Sequence, residues 1–115
     1  MNCFSDEVGP RALSDMADES TARPFELDEI ARAADVLAPD FGMPRSLARV
    51  GLAYDMRPGA LTPSEDDLAA AFAIPVGVVV VGRVVWETMK DAERADIVAR
   101  AARIVRAERV AACRG

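Results

Sequence analysis

Residues 57–75, RPGALTPSEDDLAAAFAIP, set the tightest limit on what this chain can fold into. Arg57-Pro58-Gly59 is a turn signal, because proline fixes φ and glycine accepts the conformations a tight turn needs. Thr62 or Ser64 can cap the helix that follows. Ser64 and Asp67 have capping-box spacing, and Pro63 suits the first turn if Thr62 is the cap. Glu65, Asp66 and Asp67 all favour the positive end of the helix dipole. Leu68, Ala69 and Phe72 form one apolar face, and Pro75 ends or interrupts the helix. A turn, a capped helix and a short break before a second element make the entry to a helix-turn-helix. The three acids are accounted for by helix-start electrostatics. Paired catalytic carboxylates would need further site residues, and none accompanies them.

The next stretch, residues 76–86, is where such a motif places its second helix. It carries Val76, Val78, Val79, Val80, Val81, Val84 and Val85. β-branched side chains and nearby glycines suit a buried strand, whereas the motif requires a helix; a short apolar run satisfies either. A lone strand cannot pair its backbone, so it would need its copy in a dimer. Under both readings the segment is core or interface, and a cofactor pocket is disfavoured.

Upstream, residues 26–38 place Leu27, Ile30, Ala34 and Leu37 at helical spacing, with acids in the first turn. Pro39 stops that helix, and residues 39–44, PDFGMP, form a turn cluster. Residues 46–56 read as a short helix with Leu47, Val50, Leu52 and Tyr54, weakened by Gly51. Downstream, residues 87–112 read as a long amphipathic helix. Ile97, Val98, Ala101, Ile104 and Val105 share one face, and Arg100, Arg103, Arg106 and Arg109 fill the remaining arc. Asp96 and Arg100 form an i,i+4 pair in the favourable order. These arginines suit a solvated face that complements the C-terminal dipole, or a surface for phosphates or an acidic partner. The acidic start of the same chain is one candidate partner.

Length and charge bound the rest. A chain of 115 residues allows one modest core. Aromatics are only 5% of it, so Ala and Val must do most of the packing, and stability is expected to be marginal or shared with a second subunit. The formal charge of −5 is uneven: residues 1–44 hold ten acids and three bases, and residues 45–115 hold nine acids and eleven bases. Residues 1–24 are polar and acidic with no periodic apolar face, the composition of a disordered arm, which leaves 25–115 as a single helical domain. The chain has no histidine, which removes Ser-His-Asp triads, Cys-His dyads and histidine-ligated zinc. Cys3 and Cys113 are its two cysteines. In a cytoplasmic chain they are expected to be unpaired thiols rather than a disulfide. Neither a secretory signal pattern nor a run of roughly 20 apolar residues is present, so the expectation is a cytoplasmic protein without a membrane partner.

Residues 57–74 resemble the opening of the winged helix-turn-helix domain of the GntR family of bacterial transcription regulators. Pro58 and Gly59 match that family's turn. Pro63, Ser64, Glu65, Leu68, Ala69, Phe72 and Ile74 match its P-S-E-x-x-L-A-x-x-F-[GA]-[VI] motif, with Ala73 where the family prefers glycine. Val79 matches a buried valine of its recognition helix, so the likeness runs over about residues 57–82. It implies a helix-turn-helix fold and DNA binding. The family opens its recognition helix with Ser-Arg and Thr or Arg residues; Pro75, Val76, Val78 and Val80 stand there in this chain. Valines donate to neither phosphates nor guanine edges. The two-stranded wing also has no counterpart after Trp86. Residues 65–75, EDDLAAAFAIP, are in addition similar to a helix near the active site of phage-type ImmA zinc peptidases, whose HExxH motif is absent.

The sequence therefore predicts a mainly α, small helical domain with a helix-turn-helix-like centre and a long C-terminal amphipathic helix. The leading functional expectation is a dimeric, DNA-associated regulator. Arg100, Arg103, Arg106 and Arg109 would supply phosphate contacts, and Val79, Val81, Val85, Ile97, Ile104 and Val105 would form the dimer interface. The alternative is a non-enzymatic protein-protein interaction module, or a catalytically dead relative of the ImmA-type peptidases. No catalytic residue, metal or cofactor is expected.

Overall fold

The computed structural model describes residues 23–114, Arg114 by its backbone alone, as an all-helical fold. The proposed arm lies outside these residues except for Arg23 and Pro24, as does Cys3. Cys113 is not a free thiol, contrary to the expectation for it.

Helix α1, Leu27–Leu37, opens with Asp28 and Glu29 in its first turn. Glu29 Oε1 accepts a hydrogen bond from the Glu26 backbone N–H at 2.9 Å. Its buried residues, Ile30, Ala33, Ala34 and Leu37, recur at the spacing of one helical face. Helix α2, Arg45–Met56, starts at Pro44 and buries residues all round its circumference. That marks it as the central helix, and α1, α3, α4 and α5 all pack on it. A 3-10 turn, Gly59–Leu61, then leads to α3, Glu65–Phe72. Ser64, not Thr62, is the cap: Ser64 Oγ accepts from the Asp67 N–H at 3.0 Å, while Thr62 Oγ1 donates to the Arg57 carbonyl at 2.7 Å.

Helix α4, Val76–Thr88, settles the ambiguity of the valine run in favour of a helix. Its β-branched residues have little helix propensity, but packing overrides propensity here. Gly82 sits 3.4 Å, measured from an ideal Cβ, from Val50 of α2. Gly51 of α2 lies flat against the Trp86 indole, whose Nε1 donates to Asp55 at 2.9 Å. The two glycines let the helices approach closely. After Met89, which is extended, α5 runs over Asp91–Arg114, so residues 87 and 88 belong to α4 and not to the last helix.

Two apolar clusters share α2. The larger joins Ile30, Ala34 and Leu37 of α1 to Leu52 and Met56, Trp86, and Ile97, Ala101 and Val105 of α5. The smaller joins Val50 and Ala53 to Leu68 and Phe72 of α3 and Val79 of α4. This second cluster is the core of the helix-turn-helix-like centre. No single described helix is long and apolar enough to cross a membrane; α3 and α4 together reach that composition but are bent by 111°.

Candidate interaction surface

The turn between α3 and α4 fixes what α4 can present. Ala73 adopts a left-handed conformation, φ 56 and ψ 48, and it and Ile74 return their N–H groups to the Ala69 carbonyl. A left-handed residue after a helix reverses the chain sharply, and glycine is usually preferred there. Pro75 then starts α4 at once. The sharp bend drops Val79, Gly82 and Trp86 onto α2 and turns the opposite side of α4 to solvent.

That outer side is apolar. Val81 is 61% exposed and Val84 54%, and Val76, Val78, Val80 and Val85 are also exposed. Gly77, Val81, Val84 and Thr88 follow one another at i, i+4, i+7 and i+11, the spacing of a helix-helix seam. Beside this ridge runs an apolar groove of about 720 Å³, walled by Pro44, Leu47, Pro75, Val78, Val81 and Val85. The charges of α4 are confined to one edge. There Arg83 lies 4.8 Å from the Tyr54 ring centroid and pairs with Glu87 at 3.3 Å and Glu65 at 3.7 Å. Burial pushes the Tyr54 phenol above its ordinary range. Contiguous exposed apolar patches are rare on monomeric domains and mark interaction sites.

No protein-family model, no curated protein and no solved structure matches this chain.

The residues expected to form a dimer interface divide in two. Val81 and Val85 lie on the exposed face of α4. Val79, Ile97 and Val105 are fully buried inside the domain, where no partner reaches them, and Ile104 packs at the margin of the larger cluster. Their side of α5 is already covered by α1 and α2. The arginines divide as well. Arg103 and Arg106 are exposed. Arg100 is exposed but bonded to Asp96 at 3.3 Å, with its guanidinium 5.3 Å from the Phe41 ring centroid. Arg109 is only 8% exposed and faces inward, so it is not a phosphate contact. It donates to both carboxylate oxygens of Glu29 at 2.8 Å and to the Pro24 carbonyl at 3.0 Å. This pair holds the Glu29 carboxyl below the usual range. A second two-pronged pair, Arg49 to Asp35 at 2.9 and 2.7 Å, ties α2 to α1 and lowers the Asp35 carboxyl likewise.

Sequence reasoning missed Pro44 and Leu47, which come from the start of a different helix; only the α2–α4 crossing brings them beside the valines. Among the described residues no group of three His, Cys, Asp or Glu could hold a metal ion.

Proposed function

We propose that this domain is a non-enzymatic interaction module that pairs with a second copy of itself through the valine face of α4. The observation that carries the proposal is the uncharged outer face of α4, with a ridge at Val81 and Val84 beside a groove floored by Leu47. A two-fold axis would seat the ridge of each copy in the groove of the other. Cyclic pairs of this kind are the commonest oligomers, and they need a surface complementary to itself. The other exposed large apolar side chains, Val36, Leu61 and Val110, come from three other elements, so they make a poorer counterpart than the ridge itself. Burying the ridge and groove supplies hydrophobic free energy that a monomer forgoes.

In this reading the helix-turn-helix-like frame is a scaffold for contact between proteins. The side-chain donors of the motif's second helix are all engaged within the domain: Arg83 by Glu65 and Glu87, Trp86 by Asp55, and Thr88 by the Val85 carbonyl. The acids at the start of α3 stand on the same side and repel phosphate.

Sedimentation over a wide concentration range tests the proposal. The sedimentation coefficient should rise with concentration, and Val81→Asp should hold it at the monomer value. A compact monomer at every concentration would overturn it.

A second reading, association with DNA through α5, is favoured by Arg103 and Arg106, which are exposed and unpaired among the described residues. Binding of random duplex DNA that weakens steeply with salt, with a shallower slope for Arg103→Ala/Arg106→Ala, supports that reading; no binding at about 50 mM salt rejects it.

A further inference from the structure

The outer face of α5 carries positive charge that the described fold does not balance. Arg100, Arg103 and Arg106 lie close together on it, three residues apart. The neighbouring acids are already engaged. Asp96 holds Arg100 at 3.3 Å, and Glu108 holds Arg32 of α1 at 3.1 Å. Arg103 and Arg106 are left facing solvent.

Residues 1–22 carry the opposite charge. They hold five acids, Asp6, Glu7, Asp15, Asp18 and Glu19, against one base, Arg11. The point at which they join the fold is fixed beside α5. The Pro24 carbonyl accepts from Arg109 at 3.0 Å, and the Arg109 guanidinium lies 5.1 Å from the Phe25 ring centroid. From Arg109 back to Arg100 the helix advances only about 14 Å. Nine residues separate Asp15 from Pro24 and span at most about 30 Å, so the covalent reach of the chain covers that distance. Tethered this close, the two charge sets meet at an effective concentration in the millimolar range.

We propose that the acidic segment 1–22 is the ligand of the Arg103–Arg106 face of α5 within the same chain, and that it shields that face from outside polyanions. The contact is electrostatic. It holds at low ionic strength and fades as the screening length shrinks toward about 3 Å near 1 M salt.

Spectra of the arginine Nε–Hε groups test this in the full chain, at about pH 5.5, where carboxylates remain charged. A reductant is kept present so that no covalent link contributes. The comparison is with Asp15→Asn/Asp18→Asn/Glu19→Gln, which removes three of the five acids of the segment. The Arg103 and Arg106 signals should shift in the variant and exchange faster with water, while that of Arg49, paired with Asp35, stays in place. Arg103→Gln/Arg106→Gln should in turn shift the backbone signals of residues 15–19. Superimposable arginine signals in wild type and variant would overturn the proposal. Shifts that grow with protein concentration would also overturn it, by assigning the contact to the acidic segment of a second copy.

Discussion

At the scale of single residues, two contacts hold the helices in register. An ideal Cβ added to Gly51 would lie 2.0 Å from Trp86 Cδ2, inside the indole, so this glycine is fixed by space alone. Gly51→Ala should cost about 3 kcal/mol or more, because neither α2 nor the fully packed tryptophan can yield. Thermal unfolding followed by circular dichroism checks it; a melting temperature within a degree or two of wild type would contradict the α2–α4 crossing. The second contact is Glu29 with Arg109, whose side chains are 12% and 7% exposed. Glu29→Gln removes the carboxylate charge that accepts two bonds from this buried guanidinium, and a loss on the order of 3 kcal/mol is expected. The same pair sets a pH dependence. Glu29 and Asp35 are both held below their ordinary range in the folded chain, first of all by hydrogen bonds from Arg109 and Arg49. Their contribution is therefore complete above the unfolded values of about 4 and is lost as pH falls through the folded ones. Melting temperature should be level from neutral pH to about pH 5 and drop below about pH 4, less steeply in Glu29→Gln.

At the scale of elements, the capping chemistry separates two neighbouring hydroxyls. Ser64→Ala should destabilise by about 1 kcal/mol through loss of the cap, the larger effect of the two. Thr62→Ala removes only an exposed bond to the Arg57 carbonyl. A greater loss from Thr62→Ala, measured by denaturant unfolding, would place the start of α3 elsewhere. Much of this level was legible in the sequence. The capped helix, the stop at Pro75 and the apolar stripe of α5 depend on neighbours a few residues away, and the chain spells them out. The fate of the valine run did not. Whether Val76–Thr88 is helix or strand depends on Gly51, Gly82 and Val50 meeting across two helices, which no local pattern encodes. The same limit explains the mixed fortunes of the site residues. Spacing put Ile97, Val105 and Arg109 on surfaces of α5 but could not say that α1 covers them, or that Glu29 waits opposite Arg109.

At the scale of the whole molecule, α4 is used on both sides, inward as core and outward as the proposed contact, and two substitutions only two residues apart, on opposite sides of the helix, pull these uses apart. Val79→Asp places a carboxylate among Val50, Leu68 and Phe72 with no partner, and the domain should unfold. Val81→Asp places it in solvent. The monomer should fold normally, while the rise of melting temperature with concentration disappears. Calorimetry at several concentrations reads both outcomes, and equal loss of fold in the two variants would refute this division. The position of Trp86 has an optical consequence. It is the only tryptophan in the chain, it is 2% exposed, and it rides on the same helix as Val79 while belonging to the other apolar cluster. Its fluorescence is thus a single lamp placed between two rooms. Blue emission requires the indole to remain seated on Gly51, so loosening either the α1–α5 side or the α3 side should be visible as a red shift, without any label being introduced.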